Sequence, residues 1–250
     1  MVSVSELGLT RDAQRDWFRN IVSLRRSRSL FASLVDSEEE AQILIEHEVA
    51  VKPYSAVPPA TQRPFEFAEA LVGIADVILW PFEHPAASRF SDGHFGCWYG
   101  GSDLETTIYE TGYHFWQDIE DSAASLGEAQ VEGQRRVHRV AYTGLLLDLR
   151  PMVLANAGVF DHPTNPAPCR ALGNEAHENR LPGFLTYSAR DLRRTRGLVA
   201  AVLAPDLLVE NGVQCFLTYR LDRVHGRLFV ERSEGERFME ISLADWMGPG

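Results

Sequence analysis

The sequence predicts an α+β protein, and three observations carry that prediction. Helical spacing dominates the first fifth of the chain, and runs of β-branched and aromatic residues gather towards its end. Neither a GxGxxG nor a P-loop opens any strand–helix unit. Strands collected after helices, rather than alternating with them, argue against a doubly wound sheet.

The 250 residues suffice for one large domain, or for one domain with an appended piece. With 45% hydrophobic and 24% charged residues, the composition is globular rather than disordered. A formal net charge of −11 leaves no overall basic footprint for nucleic acid. The two arginine clusters, SLRRSRS (23–29) and ARDLRRTRG (189–197), each read as a solvated face or a small-anion site. The start has no apolar run behind a basic one, so no signal peptide is expected. The most apolar run, LVGIADVILW (71–80), contains Asp76 and is too short to span a bilayer. Cys97, Cys169 and Cys215 are few and odd in number, which suits a reducing compartment. A cytoplasmic protein, with no membrane and no direct nucleic-acid contact, is the expectation.

From Asp12 to about Val49 the spacing of Trp17, Ile21 and Leu24 predicts helix, and a second helical set (Ile43, Leu44, Glu46, His47) follows DSEEE. KPYSAVPPATQRP (52–64) holds four prolines and reads as a linker. This divides the chain into a helical extension with a Pro-rich linker, 1–60, and a main domain, 61–250. Residues 65–80 read as helix running into strand, CWYG (97–100) as a short strand, and 103–119 as a helix. VHRVAYTGLLLDLR (137–150) reads as a strand pair or one bent strand. Segment 151–183, rich in Pro, Asn and Gly, reads as a surface excursion around one short helix at 170–180. GLVAAVL (197–203), QCFLTYRL (214–221) and RLFVERS (227–233) are strand candidates, with NG at 211–212 and HG at 225–226 as turn signals.

Chemistry concentrates in RFSDGHFGCWYGGSDLETTIYETGYH (89–114). Ser102 with Glu105 fits a capping box at the start of the 103–119 helix. Leu104, Ile108, Phe115 and Ile119 form its apolar stripe, and Glu110 and His114 share roughly the opposite face, one turn apart. Taken alone, that pair also reads as an ordinary exposed i,i+4 contact worth a few tenths of a kcal/mol. Around it lie Gly100 and Gly101, whose permissive backbone before a helix N-terminus suits phosphate. Arg89 offers a planar guanidinium for two-point phosphate binding, and Tyr99 an aromatic face with a hydroxyl. Arg190, Arg193, Arg194 and Arg196 read either as attraction for a phosphate-bearing molecule or as a solvated cluster. No histidine or cysteine spacing matches a metal site.

The pattern RF-x-x-G-x-F-G-x-x-Y-x-x-x-x-L-E-T-x-x-x-E-x-x-x-H closely resembles the RES domain, the family of the toxins of RES–Xre toxin–antitoxin pairs. GFLTYSARD (183–191) resembles the family's second segment and supplies Ser188, and GLVAAVLAPD (197–206) resembles its closing strand. The likeness covers roughly 80–230. It implies an ADP-ribosyltransferase-like fold with a split β-sheet and a cleft for NAD. It also implies cleavage of the nicotinamide–ribose bond by phosphorolysis or hydrolysis, that is, an NAD phosphorylase or NAD glycohydrolase. NAD is then substrate, inorganic phosphate a candidate co-substrate, and no metal is expected. Glu110 would face the developing oxocarbenium and Arg89 the phosphate. Tyr99 would meet the ring or ribose, Ser188 would donate to phosphate or ribose, and His114 would orient Glu110 or the acceptor. Gly100, Gly101 and Arg190 complete the expected NAD contacts. An Xre-like helix-turn-helix antitoxin is the expected partner. The family also carries an arginine upstream of Arg89, for which Arg63 is the nearest option. Residues 1–60 lie outside the likeness and are expected to cover the cleft, form a homo-oligomer interface or bind a partner. Two other readings compete: a protein ADP-ribosyltransferase on the same site, and a non-catalytic interaction module on a degenerate RES scaffold.

Overall fold

The structure is a computed structural model that describes residues 2–23, 75–121, 129–233 and 235–247. Met1–Ile21 and Ile74–Gly250 form one compact unit; Val22–Gly73 forms a second and, Val22 and Ser23 apart, lies outside the described residues. The expected linker at 52–64, the second N-terminal helix and Arg63 all fall in that undescribed stretch.

The α+β class holds. Ten strands among the described residues form one sheet: β1 (Leu9–Thr10), β2 (Asp16–Val22), β3 (Trp98–Gly101), β4 (Gln130–Tyr142), β5 (Leu146–Asp148), β6 (Gly183–Tyr187), β7 (Leu198–Val202), β8 (Leu208–Asp222), β9 (Arg227–Ser233) and β10 (Glu236–Ser242). Their order is β1-β5-β6-β7-β3-β2-β4-β8-β9-β10. The expected split takes the form of two halves that meet where β3 and β2 share the pair Phe18↔Gly101. A π-turn at Ala75–Leu79 leads into α1 (Trp80–Glu83), and the remaining helices are α2 (Leu104–Asp121), α3 (Arg150–Ala155), α4 (Ala167–Glu178) and α5 (Leu243–Met247).

Four expectations change. The described end of 65–80 is helical from Ala75 to Glu83, where a strand was expected. Residues 16–22 are a strand, not the start of a helix. A spacing of four is common to both periods, because positions i, i+2 and i+4 also share one face of a strand. Trp17 and Ile21 accordingly pack in one core cluster, and Phe18 in another. Asn211-Gly212 is not a hairpin turn. Gly212, at φ +104°, sits where the β4–β8 register shifts, so the glycine serves a bulge. The excursion at 151–183 holds two helices, α3 and α4, which carry the chain between the parallel strands β5 and β6. Residues 137–150 do hold two strands, the end of β4 and β5, but these pair with β8 and with β1 and β6 rather than with each other, while His225-Gly226 does turn the chain from β8 to β9.

Three apolar clusters hold the sheet. Phe90, Leu149 and Phe184 pack with Val153 of α3 and Leu172 of α4, while Trp17, Trp98, Leu146 and Leu185 form a second cluster. Ile108 and Tyr113 of α2 pack on Leu217, Leu228 and Ile241. Fully burying side chains of this size contributes about 1.5–3 kcal/mol each.

One glycine sets the site's floor. Gly173 lies in α4, where a helix interior ordinarily disfavours it by about 1 kcal/mol. A Cβ there would lie 1.8 Å from the Phe90 carbonyl oxygen, so only glycine lets α4 approach the segment carrying Arg89. Gly173→Ala is therefore expected to lower stability by about 1–3 kcal/mol. Chemical denaturation checks this, and an unchanged midpoint would refute the close approach.

Candidate active site

The strand order explains how two distant motifs meet. β7 lies between β3 and β6, with Gly101 opposite Val199 and Tyr187 opposite Leu198. The chain leaving β3 into α2 and the chain leaving β6 into Ser188 therefore emerge at one edge, side by side. Ser102 confirms the junction: its N–H donates to the Leu198 carbonyl at 2.8 Å, and its hydroxyl accepts from the Leu198 N–H at 2.9 Å.

That use of Ser102 also corrects the expected capping box. Asp103 caps α2, accepting from the Thr106 N–H at 2.8 Å and the Thr106 hydroxyl at 2.9 Å, while Glu105 pairs with Arg193 at 2.7 Å. Further along, Asn20 donates to the Thr111 hydroxyl at 2.9 Å and to the Tyr219 hydroxyl at 2.8 Å. Arg135 donates to the Thr111 carbonyl at 3.2 Å. The helix is thus pinned at its start and at the residue after Glu110.

Glu110 is held from the 188–191 loop. Ser188, fully buried, donates its hydroxyl to Glu110 Oε1 at 2.5 Å. Ser188 Oγ in turn accepts from the backbone N–H groups of Arg190 (3.2 Å) and Asp191 (2.9 Å). With both lone pairs engaged, its single proton is left for the carboxylate. Arg190 Nη1 donates to the other oxygen, Oε2, at 2.8 Å, and its guanidinium lies 4.6 Å from the Tyr113 ring centroid. Burial works to raise the Glu110 carboxyl. The Arg190 charge, the Ser188 hydrogen bond and the Arg89 charge outweigh it, so Glu110 lies below the ordinary carboxylate range. At neutral pH it is a fixed anion.

His114 follows one turn on. Although the residue is exposed, the protein packed around its ring and then the Arg190 charge hold its pKa below the usual imidazole value, so it is neutral at pH 7. Arg89 donates to the carbonyls of His162 at 3.0 Å and Phe160 at 3.4 Å, while its charge reaches Glu110. The structure thus gathers Glu110, Ser188, Arg190, His114 and Arg89 around one carboxylate.

Tyr99 supports this group from behind. Its hydroxyl accepts from the Phe90 N–H at 3.0 Å and lies 2.9 Å from the Ser88 hydroxyl, which fixes the backbone on both sides of Arg89. Burial raises its pKa well above the ordinary value, so it stays protonated. Gly100 and Gly101 do not form a turn. Both are buried in β3, where a Cβ would lie 2.5 Å from the Trp98 ring and 2.8 Å from the Thr107 nitrogen, respectively. With the Asp103 carboxylate over the helix start, these glycines serve packing rather than phosphate. The arginine cluster also divides: Arg193 clamps Asp191 at 2.5 Å and Asp103 at 2.9 Å, Arg196 pairs with Asp161 at 2.7 Å, and Arg194 is exposed.

Sequence reasoning missed Arg19, Asp191 and Tyr113. Arg19 Nη1 donates to the Tyr99 carbonyl at 3.1 Å, and burial lowers its pKa to about 10. Reading 16–22 as helix hid it, since only a strand there brings it beside β3. Asp191, with a fully buried side chain, accepts from the Gly197 N–H at 2.9 Å and lies 3.1 Å from the Thr106 hydroxyl oxygen, which places the loop against α2. No local pattern marks it, because its partners come from other elements. Among the described residues, no three His, Cys, Asp or Glu side chains converge as metal ligands would. No described helix is long and apolar enough to cross a membrane.

A family model described as the RES domain matches residues 46–222. No curated protein matches the chain. Among solved structures, one similar chain comes from the crystal structure of the M. tuberculosis MbcT-MbcA toxin-antitoxin complex. It is 14% identical, with a TM-score of 0.35 over 52% of this chain and 70% of that one.

Proposed function

This chain belongs to the RES domain family, and on that premise we propose that it cleaves the nicotinamide–ribose bond of NAD, as the toxin of a toxin–antitoxin pair. The observation that carries the reading is the Glu110 carboxylate, held ionised by Ser188 and Arg190 within the field of Arg89.

In this reaction the bond between the ribose carbon and the nicotinamide nitrogen breaks, and its electron pair leaves with nicotinamide as a neutral ring. No strong general acid is needed. The ribose carbon takes on oxocarbenium character, which a carboxylate beside it stabilises in a site of low dielectric. A phosphate or water oxygen then bonds to that carbon, and water gives up a proton in the hydrolytic case. Ser188 and Arg190 keep Glu110 oriented and charged, so little reorganisation is needed as the bond stretches. Arg89 is the proposed pyrophosphate ligand. Neutral His114 is suited to orienting the acceptor. The partner proposed is an antitoxin of the Xre-like helix-turn-helix kind that closes the cleft, and NAD as substrate sets the place of action as the cytoplasm.

Purified protein incubated with NAD tests the reading. The expected products are nicotinamide with phosphorylated ADP-ribose when phosphate is present, or with free ADP-ribose when water is the acceptor. ADP-ribose covalently attached to protein would instead favour a transferase. Undiminished NAD would overturn the reading and favour a non-catalytic module.

A further inference from the structure

The matched family span ends at residue 222, yet a residue well beyond it reaches the site. Trp246 lies in α5, after the β9–β10 hairpin, and is 7% exposed. Its indole N–H donates to the Arg190 carbonyl at 2.9 Å. A buried indole has one donor and no acceptor, so it must find a carbonyl or similar group. The carbonyl it takes belongs to a loop residue, outside the β6–β7 ladder. The Arg190 N–H is meanwhile held by Ser188 Oγ at 3.2 Å. Arg190 is therefore fixed through both its N–H and its C=O, which sets the point from which its side chain departs.

The ring reaches the same guanidinium by a second route. Trp246 stacks parallel to Trp116, with centroids 6.2 Å apart, and meets Tyr113 edge-on at 5.7 Å. Tyr113 in turn carries the Arg190 guanidinium on its face at 4.6 Å. Gly112 leaves room for this packing: a Cβ there would lie 2.7 Å from Leu228 Cδ2 and 3.2 Å from Trp246 Cη2.

We propose that Trp246 is a positioning residue for the Glu110–Arg190 pair, acting through the Arg190 carbonyl and the Tyr113 ring. The C-terminal β9–β10–α5 segment thereby becomes a built-in clamp on the catalytic loop. This rests on the NAD-cleaving reading for its kinetic consequence, but the contact itself does not.

Trp246→Phe keeps a smaller aromatic ring and removes the N–H. It is expected to lower kcat for NAD cleavage roughly 3- to 10-fold, the worth of one hydrogen bond, with KM little changed. In a double-mutant cycle with Arg190→Lys, the double variant should be no slower than Arg190→Lys alone, because Trp246 acts through Arg190. Effects that simply multiply, or a Trp246→Phe enzyme with unchanged kcat, would overturn the proposal. A second readout needs no turnover and no folded Trp246 variant. Of the five indole N–H signals, those of Trp17 and Trp98 also donate to buried carbonyls, so the Trp246 signal is picked out by its through-space contact with the Tyr113 ring. That signal should be protected from hydrogen exchange and should shift in Arg190→Lys, while a fast-exchanging, unmoved Trp246 signal would overturn the clamp. If the wild-type chain consumes no NAD, the functional reading falls, and this exchange measurement alone decides the clamp.

Discussion

Glu110→Gln is expected to lower NAD cleavage by at least about a thousandfold while the protein stays folded. Glutamine keeps the shape of the side chain and removes only the charge, so the loss reports the electrostatic contribution at the ribose carbon. Some stability should go with it. The amide cannot satisfy the Ser188 hydroxyl and Arg190 as a carboxylate does, and replacing a charge-assisted hydrogen bond costs about 1–3 kcal/mol. Circular dichroism and a melting curve establish the fold, and nicotinamide release gives the rate. Wild-type-like turnover in the folded variant would remove Glu110 from the chemistry.

Arg190→Ala should act on both stability and pH dependence. The pair is largely buried, with side-chain exposures of 11% and 21%. Removing one partner leaves a charge in a poor dielectric, which costs about 3 kcal/mol or more when burial is complete and somewhat less here. The folded-state pKa of Glu110 lies below its unfolded value, so its ionised form contributes stability above the unfolded pKa. That contribution is lost as pH falls through the lowered folded value. Without Arg190 the largest of the effects that offset burial is lost, so the carboxyl rises. The acid limb of the rate profile should therefore move to higher pH, and the stability gained between acid and neutral pH should shrink. Both follow from titrating kcat/KM and the denaturation midpoint from pH 4 upwards. An acid limb at the wild-type position would show that Arg190 does not govern the carboxylate.

Much of the site was legible because it is local. Arg89, Glu110 and His114 lie within one stretch whose glycines, strand and amphipathic helix follow from short-range chemistry, and Ser188 follows the short strand GFLTY. What sequence reasoning misassigned depends on distant partners. Gly100 and Gly101 resemble a phosphate-binding turn until Trp98 and Thr107 are seen to fill the space above them. Ser102 resembles a helix cap until β7 claims its hydroxyl through Leu198. Arg19 was hidden by a four-residue spacing that helix and strand share. Trp246 could not be found at all from the sequence, since its value lies in an indole that crosses 56 positions to one carbonyl.

The central claim is that one carboxylate faces the ribose carbon from which nicotinamide departs. A crystal structure of Glu110→Gln with NAD bound tests it most directly. The account predicts the side chain of residue 110 about 3–3.5 Å from that carbon, as a near-attack geometry requires, with Arg89 on the pyrophosphate. NAD bound elsewhere, or lying in the site with its ribose turned from residue 110, would contradict it.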